Sequence, residues 1–352
     1  MTNYIKKDIR PLSVEDLKVF FESNNIETYR ANQIYEWLWV KGVSDFNLMT
    51  NLSIDFRKFL QKYFTINNIK VESIQKSIDG TIKNAVKLYD NKIVESVLIP
   101  TKNRITACIS SQVGCSLNCK FCATSKLKRL RNLNVDEIFD QVKFIDNQSK
   151  SFYNRPITNI VYMGMGEPLM NYENVIKSIE KITSKSGLGF SPRRITVSSV
   201  GFPKFIKKMA DQKIKFNLAI SLHSAIQSVR EFLMPFSNKI LIEDLIDSLR
   251  YWINIKKSII TFEYIVFDGI NDSEKDIIEL IKICKKIPSK VNLIQYNSIN
   301  DDNFRNASIK SINRYSKLLS ENNIINTIRK SRGDDIDAAC GQLANNTINL
   351  KN

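Results

Sequence analysis

The chain carries one cysteine-rich stretch, Gly114-Cys115-Ser116-Leu117-Asn118-Cys119-Lys120-Phe121-Cys122, in which three thiols follow the spacing C-x3-C-x2-C. Iron-sulfur clusters are usually held by four cysteine thiolates, so three on one tight loop can hold a four-iron cluster and leave one iron open to a small ligand. Structural zinc sites favour paired C-x2-4-C arms and four protein ligands, and neither a second arm nor a nearby histidine accompanies this loop. The spacing therefore predicts a cluster held by Cys115, Cys119 and Cys122, with zinc or mere packing of the thiols as the alternatives.

From about Ile105 onward, short β-branched segments alternate with amphipathic helical patterns. Strands separated by crossover helices indicate a parallel sheet of the α/β class. Six such units are too few for a closed eight-stranded barrel. The six predicted strands cover residues 105–111, 157–164, 195–200, 216–222, 259–267 and 291–297.

The first hundred residues follow other patterns. Apolar residues at helical spacing predict three helices, around Leu17, Ile34 and Leu60. They precede a predicted strand meander over residues 70–78, 81–90 and 92–100, whose first turn is Asp79-Gly80. We therefore expect a helical N-terminal domain over residues 1–69 that contacts RNA, a strand-rich adapter over 70–100 and a barrel over 101–352.

The composition limits the size, location and partners that the chain can have. The 352 residues are 43% apolar, which suffices for one large domain and a smaller one. No apolar run approaches the ~20 residues of a membrane helix, and the start, Met1-Thr2-Asn3-Tyr4-Ile5-Lys6-Lys7, lacks the apolar stretch of a signal peptide. These features predict a cytoplasmic location. The net charge of +16 favours a polyanionic partner such as RNA, although exposed helical faces also carry many lysines.

Candidate site residues follow successive predicted strands at their carboxyl ends, where parallel βα barrels gather their reactive groups. His223 is the only histidine of the chain, which excludes a histidine-centred triad and leaves proton transfer to carboxylates, thiols or water. In order along the chain, the candidates are the cysteine loop, Gly166-Glu167, Ser198, Ser221-Leu222-His223 and Asn297.

Several motifs resemble those of the radical S-adenosylmethionine (SAM) enzymes, and in particular the bacterial RNA adenine C2 methyltransferases called RlmN. Besides the cysteine loop, the similar segments are Glu95-Ser96-Val97-Leu98-Ile99-Pro100, Ser110-Ser111-Gln112-Val113-Gly114-Cys115, Gly164-Met165-Gly166-Glu167-Pro168-Leu169 and Arg332-Gly333-Asp334-Asp335-Ile336-Asp337-Ala338-Ala339-Cys340-Gly341-Gln342-Leu343. The resemblance implies an open six-unit partial barrel, a [4Fe-4S] cluster and SAM bound to the open iron. It also implies that Gly166 and Glu167 meet the amino group of SAM. The positions matched to its ribose and carboxylate are Ser198, Ser221, Leu222, His223 and Asn297.

The same resemblance assigns two further cysteines. Cys340 is implied to be a methyl carrier that takes a methyl group from one SAM, while a second SAM yields the radical that activates it. Cys108 is implied to be the resolving partner that releases the methylated RNA and leaves a transient disulfide. Glu95 is the matching candidate for proton handling, with an exposed strand carboxylate as its alternative. Cys284 falls on an apolar helical stripe and is expected to be a small buried side chain.

The expected function is formation of 2-methyladenine in 23S ribosomal RNA at the peptidyl-transferase centre and in tRNA next to the anticodon. The nearest alternative is a Cfr-type enzyme that methylates carbon 8 of the same ribosomal adenine. An alternative of another class is a zinc-stabilised RNA-binding protein without catalysis, which the three-cysteine loop and the rim residues fit poorly. Pro168 and Arg332-Gly333-Asp334-Asp335 resemble the C2 enzymes better. We further expect a monomer, and an electron donor such as flavodoxin or ferredoxin.

Overall fold

The structure is a computed structural model, and it describes residues 6–212, 215–299 and 303–344. Its strands are β1 (Lys7–Asp8), β2 (Phe64–Thr65), β3 (Lys70–Lys76), β4 (Ile82–Lys87), β5 (Ile93–Pro100), β6 (Ile105–Cys108), β7 (Gln112–Val113), β8 (Arg131–Asn132), β9 (Asn159–Tyr162), β10 (Ile195–Ser199), β11 (Asn217–Ser221), β12 (Ile260–Ile265), β13 (Ser289–Ile294) and β14 (Ile325–Arg329). Its α-helices are α1 (Val14–Glu22), α2 (Arg30–Glu36), α3 (Ile54–Tyr63), α4 (Ala123–Lys126), α5 (Val135–Tyr153), α6 (Tyr172–Thr183), α7 (Pro203–Ala210), α8 (Gln227–Leu233), α9 (Ile242–Lys256), α10 (Glu274–Lys286) and α11 (Ile309–Glu321).

The three predicted N-terminal helices are confirmed as α1, α2 and α3. Ser13 begins α1 with a capping box, in which its hydroxyl accepts the N–H of Asp16 and the Asp16 carboxylate accepts the N–H of Ser13. A π-helical turn, Trp37–Lys41, continues α2 and ends at Gly42, whose φ of 60° suits a residue without a Cβ. The parallel pair of β1 and β2 joins the two ends of this helical unit.

The helical unit packs against α5. Arg10 forms buried ion pairs with Asp136 and Asp140, each with a nitrogen–oxygen distance of 2.8 Å. Beside them, the ring of Trp39 meets that of Phe139 edge-on, with centroids 5.1 Å apart. Both contacts lie on the first crossover helix of the barrel, so the N-terminal unit is fixed relative to the strands that α5 connects.

The predicted strand meander is confirmed as β3, β4 and β5, which pair antiparallel. Gly80, with a φ of 88°, makes the turn between β3 and β4 at the predicted place. The pairing continues from β5 to β6, where Val97 lies opposite Cys108. The meander is therefore part of one ten-stranded sheet, with the order β14-β13-β12-β11-β10-β9-β6-β5-β4-β3.

The other side of the sheet is parallel, as predicted, from β6 through β9, β10, β11, β12 and β13. Six strand–helix units follow one another along the described chain, which confirms the α/β class. A seventh parallel strand, β14, was not predicted; it pairs with β13 at the edge of the sheet, where most of its residues are at least partly exposed. It follows α11 and leads directly into the C-terminal segment.

The parallel strands end at one rim. The centre of the sheet is covered on both faces, and every residue of β12 is buried. Loops that leave the carboxyl ends of these strands therefore gather above the core. The cysteine loop lies at this rim, in the connection that follows β6.

Candidate functional site

The three cysteines of the C-x3-C-x2-C loop line one cavity at the rim, which we call the rim cavity. Gly114 makes the turn into the loop with a φ of 75°, and a Cβ at this position would lie 2.4 Å from the carbonyl oxygen of Lys128. Only glycine fits there. The Cys122 N–H donates to the carbonyl of Cys119 at 3.2 Å, which closes the end of the loop.

The chemistry of these thiols fits a metal-containing group. Burial raises the pKa of Cys115 to about 12 and also raises the pKa of Cys119 and of Cys122. Bound metal overrides such a shift, because a coordinating thiol loses its proton. Over residues 6–212, 215–299 and 303–344, no three His, Cys, Asp or Glu side chains are grouped to hold one metal ion. Three thiols along one wall suit a cluster in which each of several irons takes its own sulfur.

The loop after β9 forms a second wall of the rim cavity. Gly166 has a φ of 93°, and a Cβ there would lie 2.4 Å from Cβ of Gln112. Glu167 is buried, and its two carboxylate oxygens accept the N–H groups of Leu169 at 2.9 Å and Val200 at 3.0 Å. Burial raises the pKa of Glu167 to about 7. Its oxygens thus organise two backbone segments, while its side chain still borders the cavity where the predicted SAM contact lies.

The predicted residues after β10 and β11 divide into two groups. Ser198, Ser221 and His223 line the rim cavity. Leu222 does not: it is 1% exposed, and its N–H donates to the carbonyl of Glu263 at 3.1 Å. Its side chain belongs to the core, so any contact with a ligand falls to its backbone.

His223 is held in an unusual conformation. Its φ is 55°, which a side chain with a Cβ seldom adopts. Its Nδ1 accepts the N–H of Ile265 at 3.1 Å, and burial lowers its pKa to about 3, so the ring is neutral. Asn271 holds the backbone: its Nδ2 donates to the carbonyls of His223 at 2.6 Å and Ile265 at 2.8 Å, and its Oδ1 accepts the N–H of Phe267 at 2.6 Å.

Asn271 was not among the predicted site residues. It lies in the loop between β12 and α10, in the polar run Gly269-Ile270-Asn271-Asp272-Ser273. Such a run is typical of a turn and of a helix cap, and Ser273 does cap α10. The sequence therefore offers a local explanation for the polar residues, and only the fold reveals the contact with His223, 48 positions earlier.

A second cavity, which we call the C-terminal cavity, contains Cys108 and Cys340. Cys340 also lines the rim cavity, so the two spaces meet at this residue. Cys340 is exposed, yet its exposed surface faces the cavities, and desolvation there raises its pKa. Burial, together with the neighbouring Cys340 thiol, raises the pKa of Cys108 to about 12. Both thiols are free.

Asn297 lies in the C-terminal cavity and not among the residues that line the rim cavity. Its Nδ2 donates to the carbonyl of Cys340 at 3.0 Å, and its Oδ1 accepts the hydroxyl of Ser331. In this structure the side chain of Asn297 bonds to the segment that carries Cys340, and the expected contact with SAM stays a prediction. Arg329, at the end of the unpredicted strand β14, lines the same cavity.

Glu95 was predicted to handle protons, and its alternative was an exposed strand carboxylate. The structure excludes the alternative, because Glu95 is 0% exposed. It lines neither cavity. One carboxylate oxygen accepts the N–H of Ala344 at 3.0 Å, and the other lies 3.8 Å from Nζ of Lys83. Glu95 therefore anchors the chain just beyond Cys340.

The segment before Cys340 is tied to the turn between β3 and β4, and we call this set of contacts the latch. The carboxylate of Asp335 accepts the hydroxyl of Ser77 at 2.6 Å and the N–H of Ile78 at 3.1 Å. In return, the carboxylate of Asp79 accepts the N–H of Gly333 at 3.1 Å. The Arg332–Asp335 motif thus has a positioning role, since it fixes the start of the loop that carries Cys340.

Cys284 occupies the buried face of α10, as predicted, and lines neither cavity. Burial raises its pKa to about 11. Within the described residues, no helix has both the length and the apolar character needed to cross a membrane.

Comparisons with known proteins cover nearly the whole chain. Residues 109–281 match the model described as "Radical SAM superfamily", and residues 7–66 match "Ribosomal RNA large subunit methyltransferase N-terminal domain". The chain is 58% identical over 343 residues to "Probable dual-specificity RNA methyltransferase RlmN" of Flavobacterium psychrophilum, which covers 97% of this chain and 99% of the relative. It is 39% identical over 340 residues to "Dual-specificity RNA methyltransferase RlmN" of Geotalea uraniireducens, with 96% of each chain covered. The crystal structure of a radical SAM methyltransferase from Sphaerobacter thermophilus matches with a TM-score of 0.90 at 34% identity, over 96% of this chain and 99% of that one.

Proposed function

The chain belongs to the RlmN family of radical SAM methyltransferases, and on that basis we propose that it methylates carbon 2 of adenine in RNA. The proposed substrates are the 23S ribosomal RNA adenine at the peptidyl-transferase centre and the tRNA adenine next to the anticodon. Relatives named as dual-specificity RNA methyltransferases support the substrate class. The net charge of +16 supports a polyanionic substrate.

One observation carries this proposal: Cys340 lines both the rim cavity and the C-terminal cavity. The three loop cysteines line the rim cavity, Cys108 lines the C-terminal cavity, and Cys122 borders both. A single thiol can therefore face the place where a methyl group is activated and also the thiol that would release the product. A zinc-stabilised RNA-binding protein has no use for such an arrangement.

The rim cavity has the residues to hold both cofactors. We assign the cluster to Cys115, Cys119 and Cys122, which leaves one iron for SAM. When bound, the cluster supplies an electron that cleaves SAM to a 5′-deoxyadenosyl radical, and a second SAM is the methyl source. The proposed contacts with SAM are Gly166, Glu167, Ser198, Ser221, His223, Asn297 and the backbone of Leu222.

The chain's own part in the chemistry falls to two thiols. The Cys340 thiolate attacks the methyl carbon of SAM, so that a sulfur–carbon bond forms and S-adenosylhomocysteine leaves. The S-methyl carbon would then give one hydrogen atom to the 5′-deoxyadenosyl radical and bond to carbon 2 of adenine, which gives up its hydrogen as a proton while one electron passes to the cluster. The Cys108 thiolate then attacks the Cys340 sulfur. A disulfide forms as the sulfur–carbon bond breaks, and the carbon keeps the electron pair and takes up a proton to become the methyl group.

Both thiols need help to ionise, because burial raises the pKa of each. The positive charge of Arg329, which lines the C-terminal cavity, opposes this effect at both sulfurs. Glu95 is the proposed acceptor for the adenine proton. It can reach the cavity only when its bond to Ala344 opens.

We place this reaction in the cytoplasm and assign it to a monomer that receives electrons from a flavodoxin or a ferredoxin. Transient disulfides of the kind proposed here occur in reducing compartments as catalytic intermediates. The disulfide between Cys108 and Cys340 must take up two electrons and two protons from a cellular thiol reductant before the next turnover.

Mass spectrometry of nucleosides from RNA treated with the reconstituted enzyme tests the activity. We expect 2-methyladenosine; 8-methyladenosine would favour a Cfr-type enzyme, and no methylated adenosine would overturn the proposal. Denaturing gels of variants test the two thiols. Cys340→Ala removes the carrier and should give neither product nor RNA adduct, whereas Cys108→Ala should trap a covalent complex with RNA.

Cys284→Ala is the matched control, because Cys284 is a buried thiol remote from both cavities. This variant should turn over like the parent enzyme. An RNA adduct on Cys340→Ala, or free turnover by Cys108→Ala, would show that the two roles are assigned wrongly.

A further inference from the structure

Arg230 of α8 is a fully buried guanidinium, with 0% of its surface exposed. One nitrogen, Nη2, donates to the carbonyl of Val200 at 2.5 Å. The other two, Nε and Nη1, have no hydrogen-bond partner in the part of the chain that the structure describes. A side chain kept only to anchor Val200 would not need two further buried donors, whose desolvation is costly.

The charge of Arg230 is only partly compensated, because the adjacent Glu231 carboxylate attracts it without forming an ion pair. Among the described residues, no carboxylate forms an ion pair with it. Its neighbour Glu231 is directed to Gln227, whose Nε2 donates to the Glu231 carboxylate at 2.7 Å. The buried Arg10, by contrast, is paired with Asp136 and Asp140. A buried cation without a paired anion is unfavourable, so a negative group close to Arg230 would stabilise the protein.

The position of Arg230 indicates which group this is. The helix that carries Arg230 is bonded to the cysteine loop, because the N–H of Lys120, next to Cys119, donates to the carbonyl of Leu233 in α8 at 3.0 Å. The Cys119 thiol is the first of the groups that raise the pKa of Arg230. In turn, Arg230 is the positive group that favours the thiolate of Cys119. His223, whose pKa the charge of Arg230 also lowers, has a neutral ring whose Nδ1 accepts a backbone N–H. Cys119 is therefore the group of the cysteine loop through which negative charge would act on Arg230.

An iron-sulfur cluster held by three thiolates is an anion, and it gains one further negative charge when it is reduced. Cluster potentials respond to local charge, hydrogen bonds and burial. Resting on the proposed function, which places the cluster on Cys115, Cys119 and Cys122, we propose that Arg230 is the buried countercharge that stabilises its reduced form. Arg230 does not line the rim cavity, so it acts through Cys119 and is a positioning residue.

The test is a redox titration of the reconstituted holoenzyme without RNA, followed by the electron paramagnetic resonance signal of the reduced cluster. Arg230→Met and Arg230→Gln remove the charge, and glutamine can still donate to Val200. Arg230→Lys keeps the charge and is the matched control. At a fixed potential we expect both neutral variants to lower the ratio of reduced to oxidised cluster at least tenfold, which is 59 mV for a one-electron couple. The lysine variant should remain within threefold of the parent.

Unchanged potentials in either neutral variant with full iron content would overturn the proposal. If the neutral variants fold but bind no cluster while Arg230→Lys binds it, the charge is needed for the anionic cluster and the proposal stands. If all three variants lose the cluster, the role is structural and the proposal fails. A parent enzyme that binds no iron-sulfur cluster would instead refute the proposed function itself.

Discussion

Asn271 offers a way to disturb the rim without replacing any residue that lines a cavity. Asn271→Ala removes three buried hydrogen bonds, to the carbonyls of His223 and Ile265 and from the N–H of Phe267. Each is worth roughly 1 kcal/mol, and each buried backbone group left unsatisfied costs about as much again. The expected loss of stability is therefore about 3 to 6 kcal/mol, a large part of the stability of an ordinary domain.

The functional effect should follow from the backbone of His223. A φ of 55° in a residue with a Cβ persists only when the surroundings impose it. Without Asn271 we expect His223 to relax and the Kd of SAM to rise at least tenfold. Equilibrium urea unfolding of the cluster-free protein measures the stability, and equilibrium dialysis of the holoenzyme measures SAM binding.

The control is Asn217→Ala. Asn217 begins β11 at the opposite end of the sheet, where it is exposed and its Nδ2 donates to the carbonyls of Arg193 and Ile195. This variant should lose about 1 kcal/mol or less and bind SAM normally. An Asn271→Ala protein that unfolds within 1 kcal/mol of the parent, or that keeps its SAM affinity, would refute the reasoning.

Three further predictions concern the cluster, the buried carboxyl group and RNA binding. Cys119→Ala should lose the iron-sulfur absorption and all SAM cleavage, and full iron loading with cleavage would contradict the ligand assignment. Burial raises the pKa of Glu167 from 4.5 to about 7, so its contribution to stability is full below pH 4.5 and is lost as the pH rises through 7. Urea titrations of the cluster-free protein at several pH values should show that this loss in the free energy of unfolding is about 3 kcal/mol. The loss should be absent in Glu167→Gln. An identical pH profile for both proteins would contradict the prediction. RNA affinity should fall steeply with salt through counterion release, and a Kd that stays flat between low and moderate salt would show that the charge of +16 is incidental.

The helices and strands that have a clear apolar periodicity in the sequence were predicted. Alternating β-branched runs and helical stripes gave six parallel strands, although the first was expected to extend to Ser111 and ends at Cys108. The strand β14, Ile325–Arg329, was not predicted, because an edge strand with exposed positions lacks a continuous apolar run. For the same reason Arg329 was not predicted to be a site residue.

The site was predictable where a motif is continuous in sequence. The loop cysteines, Gly166 and the cysteine pair could be found because their spacing or resemblance is local. The contact of Asn297 with Cys340, and that of Glu95 with Ala344, join residues 43 and 249 positions apart. No single segment reveals such contacts. Arg230 illustrates the same limit, because its lack of partners becomes visible only after the whole core is assembled.

The latch also bears on the synthesis of the chain. Asp335 bonds to Ser77 across 258 positions, and Gly333 bonds to Asp79 across 254. During translation, the β3–β4 turn is complete long before its partners leave the ribosome, and closing so long a loop is slow. The barrel and the cysteine loop can therefore fold first, while the C-terminal wall of both cavities is missing. A chain that stops before residue 340 would lack Cys340, so the proposed methyl carrier joins the site after the rest of the barrel has been synthesised.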